Sequence, residues 1–112
     1  MKLETAEPQI APRIEIARDE DLLLDKPWHV VLLDDNQHTY DYVIEMLAKL
    51  FGYSLEKAVG MAIEVDTRKR VIVKTCHLEL AEFHQERIHN YGPDPLIPSC
   101  RGSMNAILER AL

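Results

Sequence analysis

Asp34, Asp35 and Asn36 stand side by side where an apolar run, "HVVLL" at 29–33, gives way to a segment with helical spacing. Two carboxylates and a carboxamide at such a junction can do three things. As hard oxygen ligands they could hold a divalent cation, although the triplet lacks the Asp-x-Asp-x-Asp-Gly spacing of a calcium loop. They could cap the coming helix or close a turn, as short polar side chains commonly do. They could also trap a protonated amine by charge-assisted hydrogen bonds, their mutual repulsion easing when the cation arrives.

The remaining reactive side chains carry weaker signals. Ser54, Ser99 and Ser103 have no nucleophile-elbow context, and neither Cys76 nor Cys100 is paired by sequence with a base in a known signature. No catalytic residue and no enzymatic activity are therefore expected. His77, His84 and His89 lie on or near one helix and could ligate zinc, but no spaced second pair accompanies them, so they read as solvated surface. Neither a metal nor another cofactor is expected. The two cysteines lack a CxxC spacing and read as reduced thiols, since no disulfide framework is present.

Bulk composition limits the partners. A chain of 112 residues with 46% hydrophobic and 29% charged residues suits one domain with a modest core. A formal net charge of −6 argues against nucleic acid, whose phosphates call for clustered Lys and Arg, and favours a cationic partner. Residues 1–26 read as a flexible acidic arm, because Pro8, Pro12 and the string Arg18-Asp19-Glu20-Asp21 interrupt every apolar run. Within it, Leu22-Leu23-Leu24 reads as a tether or a short docking element. No signal peptide or membrane span is visible, so a cytoplasmic location is expected, and nothing suggests an oligomer, so a monomer is expected.

Residues 27–112 carry the elements that must position the triplet. "HVVLL" reads as a buried strand. Thr39 can cap a helix with Asp41 in its first turn, Val43, Met46, Leu47 and Leu50 on one face, and Gly52 as its left-handed stop. Ser54 then caps a second helix with an apolar stripe of Leu55, Ala58, Val59, Ala62 and Ile63. "RVIVKT" at 70–75 reads as a strand entered by a charged turn at Asp66-Thr67-Arg68-Lys69. A third helix spans Leu78 to His89, with Leu80, Ala81, Phe83, Ile88 and Tyr91 as candidate core contacts. Pro93, Pro95 and Pro98 force an irregular segment before a last strand, "SMNAILE" at 103–109. The order β-α-α-β-α-β predicts an α+β fold, with three helices on one face of a three-stranded antiparallel sheet.

The run "WHVVLLDDNQHTYDYVIEMLAKLFGYSLEKAVGMAIEVDTRKRVIVKT" followed by "LELAE" resembles the ClpS family of bacterial protease adaptors over about residues 27–91. In that family an apolar strand ends in Asn-Asp-Asp, and a Thr or Pro turn leads to a helix. A second helix ends in a Val-His pair, and a strand then leads to an "E.AE" helix. The resemblance implies an adaptor that binds the free α-amine and bulky apolar first residue of N-degron polypeptides. It would deliver them to an AAA+ unfoldase of the ClpA or ClpC type, for degradation by ClpP. It also implies that the arm helps engage the unfoldase. Carried over by position, the α-amine site is Asp34, Asp35, Asn36 and Asp66, with Asp66 where the family has histidine. The apolar pocket becomes Thr39 or His38, Tyr40, Val43, Ala62, Val65 and Leu108, and the unfoldase-facing residues become Glu79 and His84. The permuted triplet, the extra carboxylate at Asp66, the reshaping residues Tyr40 and Ala62 and the longer "GPDPLIPSCRGSMNA" segment mark a divergent branch. An alternative expectation is a docking module that modulates a Clp unfoldase without selecting N-terminal residues.

Overall fold

The run PWHVVLL is extended throughout as β1 (Pro27–Leu33) and lies at the centre of the sheet. A strand bonded on both sides leaves no backbone group for water, which suits its β-branched and apolar residues: Val30, Val31 and Leu32 are fully buried. β2 (Arg70–His77) and β3 (Asn105–Arg110) flank it, both antiparallel, in the order β2-β1-β3. The computed structural model describes residues 26–35 and 37–111, so the expected arm, apart from Lys26, lies outside the described residues, as does Asn36.

Three helices complete the fold: α1 (Tyr40–Phe51), α2 (Leu55–Arg68) and α3 (Leu78–His89). Their ends follow local chemistry. Thr39 accepts the Tyr42 N–H, Ser54 accepts the Lys57 N–H, and Gly52, at φ 71°, turns the chain out of α1 while its N–H bonds to the Ala48 carbonyl. Their apolar faces meet one face of the sheet. Tyr42, Val43, Met46 and Leu47 of α1, Ala58, Ala62 and Val65 of α2, and Ala81 and Ile88 of α3 pack with Val30, Leu32, Val71, Val73 and Ala106.

The other sheet face is covered differently. Arg70 and Glu109 form a two-pronged ion pair at 2.8 and 2.5 Å. Arg70 pairs with Leu33 and Glu109 with His29, so the ion pair runs diagonally over Val31, which faces away from the helices and is still fully buried. The Arg70 guanidinium beside it, outweighing burial, holds the Glu109 carboxyl below the usual carboxylate range.

Several boundaries differ from those expected, each for an identifiable reason. α2 continues through Asp66, Thr67 and Arg68, which the sequence suggests as a turn; Lys69 alone makes the reversal, at φ 70° and ψ 0°. β2 runs on to His77, whose ring then caps α3 by accepting the Leu80 N–H. β3 starts at Asn105 rather than Ser103, because the Ser103 hydroxyl is drawn to the Gly92 N–H at 2.6 Å. Leu55, Ile63 and Phe83, expected to pack inward, are 69%, 46% and 50% exposed and lie on outer helix faces.

Leu32→Ala should lower stability by about 2–5 kcal/mol in urea titration, since it opens a cavity in a closed core. Ile63→Ala should change it by less than about 0.5 kcal/mol. Similar losses at the two positions would contradict this assignment of faces.

Candidate functional site

The helix-facing end of β1 enters a short turn, 34–39, before α1 begins, and two parts of the chain press on that turn from opposite sides. The first is the proline-rich loop between α3 and β3. Asp94 at its start is 2% exposed. Its Oδ2 accepts the Thr39 N–H at 2.7 Å and the Thr39 hydroxyl at 2.9 Å, while Oδ1 accepts the Leu96 N–H at 2.9 Å. Burial alone would raise this carboxyl; the donors from Thr39 and Leu96, with the nearby His38, outweigh it and hold the group below the usual range. The N–H of Thr39, the residue that caps α1, thus meets a negative charge from a residue 55 positions away.

His38 makes the second clasp. Its side chain is 2% exposed, with Nδ1 at 2.8 Å from Asp35 Oδ1 and Nε2 at 2.8 Å from the Gly102 carbonyl. Both partners are acceptors, so both contacts are hydrogen bonds only when the ring carries two protons. Asp35 Oδ1 also accepts the Gln37 N–H at 2.9 Å. The His38 ring packs on Tyr42 at 4.5 Å between centroids, and the Tyr42 hydroxyl donates to the Gly92 carbonyl. Loop and turn are therefore joined at Asp94 and Gly102, and loop and α1 at Gly92.

On the opposite side lies the C-terminal end of α2. The Asp34 N–H donates to the Lys69 carbonyl at 3.0 Å, and the Lys69 ammonium stands 3.6 Å from Asp34 Oδ2. Tyr40 donates its hydroxyl to Asp66 Oδ2 at 2.7 Å. That bond first, then burial, then the charges of Asp66 and Asp34, push the Tyr40 phenol up from its ordinary value. Asp66 thus meets the start of α1 through the Tyr40 hydroxyl, while Asp34 meets the end of α2 through Lys69.

Of the expected amine-site residues, Asp66 is bonded to the Tyr40 hydroxyl, Asp34 faces Lys69, and Asp35 turns toward His38. Asn36 lies outside the described residues. Among the expected pocket residues, Val43, Ala62 and Val65 are buried in one cluster with Leu108 packed against it, and the half-exposed Tyr40 stands beside Asp66. His38 and Thr39 have their polar atoms engaged by the loop, so they support the turn.

Glu79 is exposed in the first turn of α3. His84, expected as a basic docking residue, is 9% exposed and lies between Phe51 and Phe83, at 4.7 and 5.7 Å. Burial first, with Lys74 and Arg87 adding repulsion, pushes its imidazole below its ordinary value, so near neutral pH it offers no cation to a partner. Asp94, Cys100 and Gly102 were not among the expected site residues; the signal available was an acid between two prolines, a stiff segment that must be held by something.

A family model described as ATP-dependent Clp protease adaptor protein ClpS matches residues 24–96. The ATP-dependent Clp protease adapter protein ClpS of Rhodococcus jostii is 30% identical over 87 residues, spanning 78% of this chain and 78% of the relative. Its counterpart from Nautilia profundicola is 30% identical over 74 residues, spanning 66% of this chain and 76% of the relative. The solved structure of Agrobacterium tumefaciens ClpS2 bound to L-phenylalaninamide has a TM-score of 0.66 at 19% identity, covering 77% of this chain and 98% of that chain. At that identity it speaks for the fold: helices and antiparallel sheet are arranged alike.

Removing the Asp94 carboxylate should be costly in a pH-dependent way. Asp94→Ala leaves three donors without their acceptor and should cost about 1–3 kcal/mol at pH 7 in urea unfolding. Because the folded-state pKa is depressed, this stabilisation is full above the unfolded carboxyl value of about 3.9 and is lost as pH falls through the lower folded value. The gap between the wild type and Asp94→Ala should therefore narrow below about pH 4; a constant gap down to acid pH would contradict the assignment.

Proposed function

Because the chain belongs to the ClpS family of Clp protease adaptors, we propose that it binds the free α-amine and bulky apolar first residue of N-degron polypeptides. It then delivers them to a ClpA/ClpC-type AAA+ unfoldase for degradation by ClpP. It acts as a monomer in the cytoplasm, as an adaptor and not as an enzyme. The single observation that supports this best is the half-exposed Tyr40 hydroxyl bonded to Asp66 at 2.7 Å at the start of α1, whose first turns also carry Val43.

An ammonium brings three donors and no acceptor, so it needs oxygen partners and gains most from charged ones. Asp34 already attracts one: the Lys69 ammonium, on a largely exposed side chain, stands in for such a cation at 3.6 Å. At 3.6 Å the contact is longer than a charge-assisted hydrogen bond, so an incoming α-amine at bonding distance can replace it. Tyr40 is 43% exposed, and swinging it away costs one hydrogen bond of about 0.5–1.5 kcal/mol while freeing Asp66 for an amine. L-phenylalaninamide, bound by the Agrobacterium relative, combines a free α-amine with an apolar aromatic side chain, the same chemistry in small form.

A second reading, a module that docks on a Clp unfoldase without selecting N-terminal residues, draws on three contacts. Asp35 is engaged by His38 and Gln37, and Tyr40 ties up Asp66. Peptide binding separates the two. A labelled peptide beginning with Leu or Phe should bind in fluorescence anisotropy, and acetylating its α-amine should weaken binding by at least about 2 kcal/mol, about 30-fold. Equal affinity for the two peptides would favour the docking module. Capture of the unfoldase, with an apolar-first peptide as competitor, tests delivery separately.

A further inference from the structure

An open groove of about 430 Å³ lies between the end of α1 and the second half of α3, lined by Leu50, Phe83, Glu86, Arg87, Asn90 and Tyr91, and it shares no residue with the acidic turn. Leu50, Phe83 and Tyr91 give it an apolar floor, and Phe83 is 50% exposed, a large ring left half in water. Arg87 stands at the rim. Its guanidinium lies 5.4 Å from the centre of the Phe83 ring and gives one N–H to the Leu50 carbonyl at 3.0 Å, which leaves its other donors for an acid. Glu86 carries the opposite sign on the same rim, so an acidic occupant is favoured on the Arg87 side. Apolar floor and fixed cation together suit an apolar segment flanked by acids.

The run Asp19-Glu20-Asp21-Leu22-Leu23-Leu24-Asp25, outside the described residues, has that composition. Its distance from the groove also fits. β1 begins at Pro27, which pairs with His77, the residue that caps α3. At about 1.5 Å per helical residue, Phe83 and Arg87 lie about 9 and 15 Å along α3 from His77; at about 3.3 Å per extended residue, Leu24 to Leu22 reach about 10–17 Å back from Pro27. We propose that the Leu22-Leu23-Leu24 segment of this same chain occupies the groove, its leucines on Leu50, Phe83 and Tyr91 and the acids before it facing Arg87. So short a tether holds the segment at an effective concentration of the order of mM, and a modest apolar contact is then enough. A second copy has no such advantage, and its net charge of −6 opposes the approach. The docked segment covers this face of α3, so a partner that reaches the face must first displace the leucines.

In the full chain with isotope-labelled Leu methyls and Phe rings, NOEs should join Leu22, Leu23 or Leu24 to the Phe83 ring. Chymotrypsin should cut after these leucines at least about tenfold faster in Phe83→Asp than in the wild type, since a segment held in the groove must be released before it is cleaved. Arg87→Gln should speed the same cuts at least about threefold. The wild-type NOEs need no variant, so the test stands even if Phe83→Asp folds poorly. Their absence, the result if the groove serves a separate protein, would overturn the proposal, as would NOEs found only between differently labelled chains in a mixture, the result if a second copy fills it. Equal cleavage of the wild type and a folded Phe83→Asp would overturn it too. No peptide with a free α-amine takes part, so the outcome is independent of the adaptor reading.

Discussion

A single buried carboxylate at Asp94 organises the front of the molecule. Helix N-termini leave N–H groups without partners, and here a hydroxyl from Thr39 and a carboxylate from a distant loop share that duty. Closing a loop of this length costs entropy, and Pro93, Pro95 and Pro98 lessen that cost by stiffening the unfolded chain. Once Asp94 is seated, Gly102 meets His38 and Gly92 meets Tyr42, so the turn after β1 is fixed from one side. Its other side rests on α2.

The second support comes from an unusual residue at the α2 exit. Lys69 adopts the left-handed conformation that glycine takes without strain, at a cost of about 1–2 kcal/mol for a residue with a side chain. In that position its carbonyl receives the Asp34 N–H and its ammonium faces the Asp34 carboxylate. At 3.6 Å, with the Lys69 side chain 69% exposed, the ion pair is too loose to offset the strain by itself. Its effect is on charge: the Lys69 ammonium faces Asp34 and the Tyr40 hydroxyl satisfies Asp66 until something else does. Such a site is poised for exchange rather than for permanent bonding.

Local rules carried most of the architecture. The caps at Thr39 and Ser54, the stop at Gly52, the inward spacing of Val43, Met46 and Leu47 and the β-branched strands are all visible in short windows, and the structure places them as the windows imply. Tertiary facts were hidden. Whether Asp66 belongs to a turn or a helix depended on how Lys69 reverses the chain, and Ile63 and Phe83 have helical spacing but stay 46% and 50% exposed. His84 looks like a solvated base until Phe51 and Phe83 close around it. His38 resembled a pocket residue because its partner lies 64 positions away, and no local pattern announces that an acid between prolines will cap a helix.

The account makes the proline-rich loop a brace for the acidic turn, and so for amine recognition, though the loop's anchoring atoms need touch no ligand. The most direct measurement is the affinity of a Leu-first peptide for Asp94→Ala, compared with wild type at a temperature where both are fully folded. The account predicts at least about tenfold weaker binding in the variant, about 1.4 kcal/mol. Unchanged affinity in a folded Asp94→Ala chain would show that the turn holds its shape without the loop, and would contradict it.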